Sequence, residues 1–277
     1  MHGPGPMIRP LPPMRESPAL AESRRFGVRH IPMLRPLGWL ARGWRDLMRC
    51  PLPGLLHGLA LALFGALMLW LAHDRFWLLA GAFSGFLLVG PVLATGLYAV
   101  SQALERGQAA DLALALSSWK PERRMVMFGV LLALAGTGWV LTSAALITGL
   151  APQPIGSPLQ FIRHVVLNDK NHLFELWLIL GALLAAPVYM SSVIAMPLMM
   201  DRPISLLAAV LTSWRVVQAH PVPMALWAGL LMGLTAVGMA TALLGLVVVA
   251  PWLAHASWHA YRDLVTADDA AQQSGRG

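Results

Sequence analysis

The chain reads as an all-α membrane protein: six transmembrane helices in three parallel two-helix repeats, each preceded by an amphipathic helix on the cytoplasmic face. Three observations predict this. Hydrophobic residues make up 57% of the 277 and charged residues 12%, against roughly 45–50% and about 25% in soluble domains. Six stretches approach the length that crosses a bilayer. A glycine also stands six residues before a proline three times, at Gly85 and Pro91, Gly181 and Pro187, and Gly245 and Pro251, each pair inside a long apolar run.

The predicted spans fall at about 53–73, 77–102, 125–149, 173–199, 222–241 and 243–262, near the ~20 apolar residues that hydrocarbon requires. Residues 222–262 carry no charge before Arg262. One helix of that length would run about 60 Å, twice the hydrocarbon thickness. A turn near 240–245 is therefore expected.

Lys and Arg set the orientation. Nine lie before residue 50, four in 102–124, two in 200–222 and two in the C-terminal tail from the end of the sixth span (Arg262 and Arg276), whereas the alternate loops hold only Arg75, Arg163 and Lys170. Both termini are expected in the cytoplasm. The net charge of +7 is this asymmetry rather than a nucleic-acid footprint. Eighteen Arg against two Lys suggest a GC-rich bacterial genome and hence a bacterial inner membrane. Residues 1–30, rich in Pro and Arg and without an apolar signal region, are expected to form a disordered tail. A single six-span domain follows over 31–265, with repeats of about 31–104, 105–200 and 201–265, and then a second disordered tail over 266–277. Cys50 is the lone cysteine, which excludes an internal disulfide.

The repeat extends beyond the glycine and proline. Residues 112–120 align without gaps on 207–215, keeping Trp119 opposite Trp214 and Lys120 opposite Arg215. Trp44-Arg45 precedes Pro51 and Pro53 at the interval by which Trp214-Arg215 precedes Pro221 and Pro223. Amphipathic helices are predicted at about 33–49, 107–120 and 203–218. Their apolar stripes are Leu37, Leu40, Trp44 and Leu47, then Leu112, Leu116 and Trp119, then Leu207, Leu211 and Trp214. Such helices lie at the headgroups, so Trp44, Arg45, Trp119, Lys120, Trp214 and Arg215 are expected as interfacial anchors to membrane lipids. Pro91, Pro187 and Pro251 are expected to kink equivalent helices near mid-membrane. They serve close packing ahead of a central cavity. Small-residue pairs at Gly54/Gly58, Gly81/Gly85 and Gly229/Gly233 are weak signals of helix contact.

Chemistry is sparse. No Asp, Glu, Lys or Arg lies in the middle of a predicted span, which disfavours ion-coupled transport. His255 and His259 share one face of the sixth span, and His57 opens the first at the same end. These are the only metal or haem candidates. Without a carboxylate or cysteine to complete a site, hydrogen bonding is the better reading, and no cofactor is expected. Glu105-Arg106, Asp201-Arg202 and Arg262-Asp263 close the even-numbered spans, where each acid can pair with a neighbouring unit's Arg. No catalytic serine, phosphate loop or HExxH motif occurs, so no enzyme is expected.

The stretches Phe26 to Pro32, Gly43 to Asp46, Gly85 to Tyr98 and Ala254 to Leu264 resemble a bacterial integral-membrane family of unknown function, some of whose members are labelled putative cytochrome c oxidase subunits. The resemblance covers about residues 26–265 and implies a six-span inner-membrane protein. It does not carry the oxidase label, because a haem–copper core needs several buried His and this chain offers at most His57, His255 and His259. Two function classes remain. A non-catalytic protein that scaffolds, assembles or tunes a membrane complex ranks first. A transporter or binding protein for an apolar or lipid-like molecule ranks second, and haem or metal handling third. The expected partners are membrane lipids and other membrane proteins, with no nucleic acid.

Overall fold

The computed structural model describes residues 17–71, 94–118, 122–151, 153–155, 157–167 and 172–267. Twelve helices and two short strands occur among them. They are α1 (Pro18–Ser23), β1 (Phe26–Val28), α2 (Arg35–Arg49), α3 (Pro51–Leu71), α4 (94–105), α5 (Leu112–Ser117), α6 (Arg123–Leu150) and α7 (Pro158–Phe161). A π-turn at Ile162–Val166 follows α7, then α8 (Leu173–Ser192), α9 (Ala195–Asp201), α10 (Leu206–Ala219), α11 (Pro221–Ala240), α12 (Leu246–Leu264) and β2 (Val265–Ala267).

Among the described residues, four helical segments are long and apolar enough to cross a membrane: Pro51–Trp70, Arg123–Leu150, Leu173–Asp201 (α8 continued by α9) and Pro221–Ala240. They coincide with the predicted first, third, fourth and fifth spans. Most of the second prediction, with Pro91, Gly81 and Gly85, lies outside the described residues. Its last third is the described part of α4. The sixth is a helix, but a polar one in its second half and the most buried of all. From Leu253 to Leu264 nearly every residue of α12 is shielded by protein. Hydropathy does not mark it as a span because His255, Ser257, His259, Arg262 and Asp263 are polar; all but Ser257 bond side chains of other helices.

The same joint occurs twice. Cys50 ends α2 with φ −137° and ψ 70°, and His220 ends α10 with φ −133° and ψ 57°. Proline opens the spanning helix after each, at Pro51 and Pro221, where a missing N–H costs nothing. The predicted turn falls between α11 and α12. Ala242 and Leu243 take positive φ values of 53° and 70°. The Thr241 hydroxyl donates to the Gly238 carbonyl at 2.8 Å and accepts the Gly245 amide at 2.7 Å.

Two expectations are corrected. Residues 17–30 are not a disordered tail: α1 packs on α10, and β1 pairs antiparallel with β2, Gly27 opposite Thr266. Ser23 is fully buried, and its hydroxyl shares a hydrogen with that of Thr212 at 2.9 Å. The pattern missed this because the segment is short and its apolar residues are few. Second, the buried face of α2 is Trp39, Leu40, Gly43, Asp46 and Leu47, while Leu37 and Trp44 are exposed. The stripe is rotated because α2 packs on protein, on α12.

Close approach explains the glycines. A Cβ on Gly43 would sit 2.5 Å from the Ala256 amide nitrogen. One on Gly58 would collide with the Val247 carbonyl, and one on Gly54 would lie 3.2 Å from Pro251 Cβ. Thus α2 and α3 both lie backbone-close to α12, and Gly54/Gly58 is a helix contact. Gly229 and Gly233 face open space. At the far end of α6 and α8, Ile147, Ile155, Val165 and Leu173 form a separate apolar cluster. There Trp177 donates to the Ser143 hydroxyl at 2.6 Å.

Candidate functional site

The close approach of Gly43 to Ala256 carries the next turn of each helix into register. Asp46 and His259 each lie three residues further on, and His259 Nε2 is 2.7 Å from Asp46 Oδ2. Ser101 of α4, fully buried, donates to the same oxygen at 2.8 Å. Its hydroxyl also lies 2.7 Å from His255 Nδ1. A hydroxyl has one hydrogen. With that hydrogen on Asp46, His255 must donate from Nδ1, and its Nε2 is left as a bare lone pair. That atom is buried and has no hydrogen-bond partner among the described residues.

Burial pushes the Asp46 carboxyl up, but the hydrogen bond and charge of His259 and the Ser101 hydroxyl together hold it below the usual carboxylate value. The acid is therefore ionised and accepts from both neighbours. His57 donates from Nδ1 to the Pro53 carbonyl at 2.6 Å. The three histidines named from sequence thus gather at one end of the bundle, but two of them spend a ring nitrogen on Asp46 and Ser101. No group of three His, Cys, Asp or Glu among the described residues could hold a metal ion.

Asp46 and Ser101 escaped the sequence reading. Asp46 looks like one charge on an arginine-rich amphipathic helix. The available signal was its spacing from Trp39 and Gly43, which places it on the face with the small and large packing residues.

Two cavities flank this polar layer. Toward the middle of the bundle lies one of about 320 Å³. Its walls include His57, Leu97, Tyr189, Met196, Pro251 and Ala254. The polar groups on it are largely turned to backbone: Ser192 donates to the Val188 carbonyl, Ser257 to Leu253 and Tyr189 to Met224, each within 2.8 Å. What remains is an apolar space. Toward the helix ends lies a second pocket of about 150 Å³, lined by Arg42, Arg45, Asp46, Arg49, Leu104, Glu105 and His259.

A third cluster ties the helix ends together. Asp201 accepts from the Tyr261 hydroxyl and the Gln102 amide at 2.6 Å each. Arg106 and Arg262 both stand 3.8 Å from it. Glu105 pairs with Arg262 at 3.1 Å and accepts from Trp258 at 3.2 Å. The acids of α4 and α9 thus meet arginines beyond their own helices, although Asp201 stands closest to the adjacent Arg202, at 3.3 Å. Asp263 takes a different set, accepting from Arg35 at 2.6 Å, Trp39 at 2.8 Å, and Arg42.

Of the six expected anchors, Trp44 and Arg45 are exposed, and Trp44 meets Trp252 edge to face at 5.3 Å. Trp214 donates to Ser191 at 2.9 Å, and Arg215 to the carbonyls of Ser23 and Phe26 at 2.8 and 3.2 Å. These last two bind protein, fastening α10 to α8 and to the N-terminal segment. Trp119 and Lys120 lie outside the described residues. Pro187 lies inside α8, and Pro251 is buried inside α12 on the cavity wall.

Residues 78–201 match the family model described as "Predicted integral membrane protein (DUF2189)". No curated protein and no solved structure matches the chain. The match and the four apolar helices make it a multi-pass integral membrane protein.

Proposed function

We propose that this protein binds an apolar, lipid-like molecule in the cavity between α3, α4, α8, α9, α11 and α12. The observation that carries the reading is the cavity itself, about 320 Å³ in volume, with Tyr189, Ser192 and Ser257 of its wall already hydrogen-bonded to backbone carbonyls. That is within the size range of small-molecule sites, roughly 300–1,000 Å³. An apolar void of only about 150 Å³ already admits benzene. Scaffolding, which the uncharged spans alone favour, would be served better by a filled core.

The finer architecture belongs to the same proposal. The matching joints at Cys50 and His220, and the meeting of α4, α9 and α12 ends around Asp201 and Arg262, support three two-span units related by an axis along the membrane normal. The count is then six spans, with α4 the end of the second and α12 the sixth. The arginine-rich ends face the cytoplasm of a bacterial inner membrane. The cavity lies on the shared axis, and Pro251 shapes its wall.

The test is extraction of the purified protein with organic solvent and mass spectrometry of what is released, for the native chain and for Ala250→Phe. Ala250 lines the cavity, so the added ring fills it and the guest is lost. Val237→Phe, at a position 61% exposed on α11, keeps the guest. A native chain that releases nothing above a detergent blank, or an Ala250→Phe chain that releases the same compound in the same amount, overturns the proposal.

A further inference from the structure

The pocket at the helix ends is distinct from the apolar cavity. The layer of Asp46, Ser101 and His255 separates them, since on α4 Ser101 falls between Leu97 and Tyr98 of one and Leu104 and Glu105 of the other. We infer that this second pocket, between α2, α4 and α12, binds an anionic phosphate group, and that the phosphate is that of a membrane lipid.

Three arginines of α2, at positions 42, 45 and 49, line a space of about 150 Å³. Their spacing of three and four residues puts them on one helical face. The acids in the wall are already engaged: Glu105 by Arg262 at 3.1 Å, Asp46 by His259 at 2.7 Å and by Ser101. Arg42 is bonded to Asp263. Arg45 and Arg49 have no carboxylate partner among the described residues, so the pocket holds two uncompensated guanidinium groups. Guanidinium forks match phosphate oxygens in pairs, which a compact ammonium does not.

The surroundings identify the source. Beside Arg45 and Arg49, the continuing surface of α2 and α3 is apolar and open. Trp44 is 40% exposed, Met48 50%, Leu52 60% and Leu56 39%. These follow the pocket directly along the chain into the spanning helix α3. A phosphate held by Arg45 and Arg49 would lay its acyl chains along this surface, whereas a free phosphate has no use for it. This inference does not depend on the apolar cavity being occupied.

The experiment places the purified full chain in phosphatidylcholine nanodiscs and titrates in a fluorescent phosphatidylglycerol. Arg45→Gln, Arg49→Gln and their pair are compared with Arg123→Gln, a control at the start of α6. The expected result is a loss of roughly tenfold or more per pocket arginine, the scale of a charge-assisted pair, with Arg123→Gln unchanged. Arg45→Lys with Arg49→Lys, which keeps the charge and loses the fork, falls between. Failure of millimolar inorganic phosphate to displace the lipid supports the lipid source, whereas full displacement overturns that source. Equal loss in Arg123→Gln, or no loss in the pocket pair, overturns the site. Because Arg45 and Arg49 are exposed, the variants keep the native melting temperature, and the lysine pair remains as a readout if they do not.

Discussion

His259 Nε2 and Asp46 Oδ2 stand 2.7 Å apart across 213 residues of sequence, joining the amphipathic helix α2 to the buried helix α12. Both side chains are nearly shielded from solvent, at 11% and 8% exposure. Removing one partner from such a pair leaves the other charge or donor stranded, which costs about 3–5 kcal/mol where pairs are buried. Asp46→Asn keeps the shape and loses the charge, and it turns a pure acceptor toward Ser101 and His259 into a mixed group. We expect a large fall in the detergent melting temperature for Asp46→Asn and a smaller one for Ser101→Ala. The double variant should fall short of the sum, because both act on the same oxygen.

Asp263 predicts an acid sensitivity. Burial raises its carboxyl, but hydrogen bonds from Arg35, Arg42 and Trp39 hold it below the usual value. The folded value is thus depressed, as for Asp46. The stability these groups supply is present above the ordinary carboxylate value of about 3.9. It is lost as pH falls through the lower folded values. Hydrogen exchange of α2 should accordingly be slow and pH-corrected rates flat down to about pH 5, then rise in stronger acid. In Asp263→Asn, α2 should exchange faster at neutral pH and lose part of that acid dependence. An unchanged profile would show that these donors do not hold α2.

Why some of this was legible in sequence and some not follows from particular residues. The spans α3, α6, α8 and α11 are apolar on all sides, and their windows are mostly exposed, so hydropathy finds them without knowing any contact. The turn before Gly245 was found because two membrane lengths had to fit between charges. The role of α12 was only half legible. Its polar residues are satisfied by Asp46, Ser101, Glu105 and Asp201, which come from three other helices. No local pattern records such pairings. For the same reason three histidines were found and the acid and hydroxyl that organise them were not.

The glycines divide into two groups with opposite expectations. At Gly43 an added methyl lands 2.5 Å from the Ala256 backbone, so α2 must lift from α12 or strain. Gly43→Ala should destabilise by about 1–3 kcal/mol and disturb both His259–Asp46 and the Asp263 bonds. Gly229→Ala and Gly233→Ala meet nothing within 4 Å and lie inside α11, where Ala is the better helix former by about 1 kcal/mol. They should be neutral or stabilising in a thermal melt. A destabilised Gly229→Ala would instead mark that face as a contact with another chain.

The proposed three-unit arrangement makes its own prediction at Asp201. This acid ends α9, and besides the adjacent Arg202 at 3.3 Å its partners are Gln102, Arg106, Tyr261 and Arg262, from the ends of α4 and α12. If those helix ends form one threefold junction, Asp201→Asn should loosen α4 and α12 together. Glu105→Gln, whose side chain is bonded among the described residues to Arg262 and Trp258, should loosen α12 alone. Hydrogen exchange of α4 and α12 in the native chain and in each variant reads this directly. Faster exchange of both helix ends in Asp201→Asn is the expected outcome, because the acid is the point that both arginines approach to 3.8 Å. Like charges so placed repel without it. Exchange of α4 that is unaffected by Asp201→Asn would mean that packing of α4 against α12 sets the junction, and that the acid merely neutralises it.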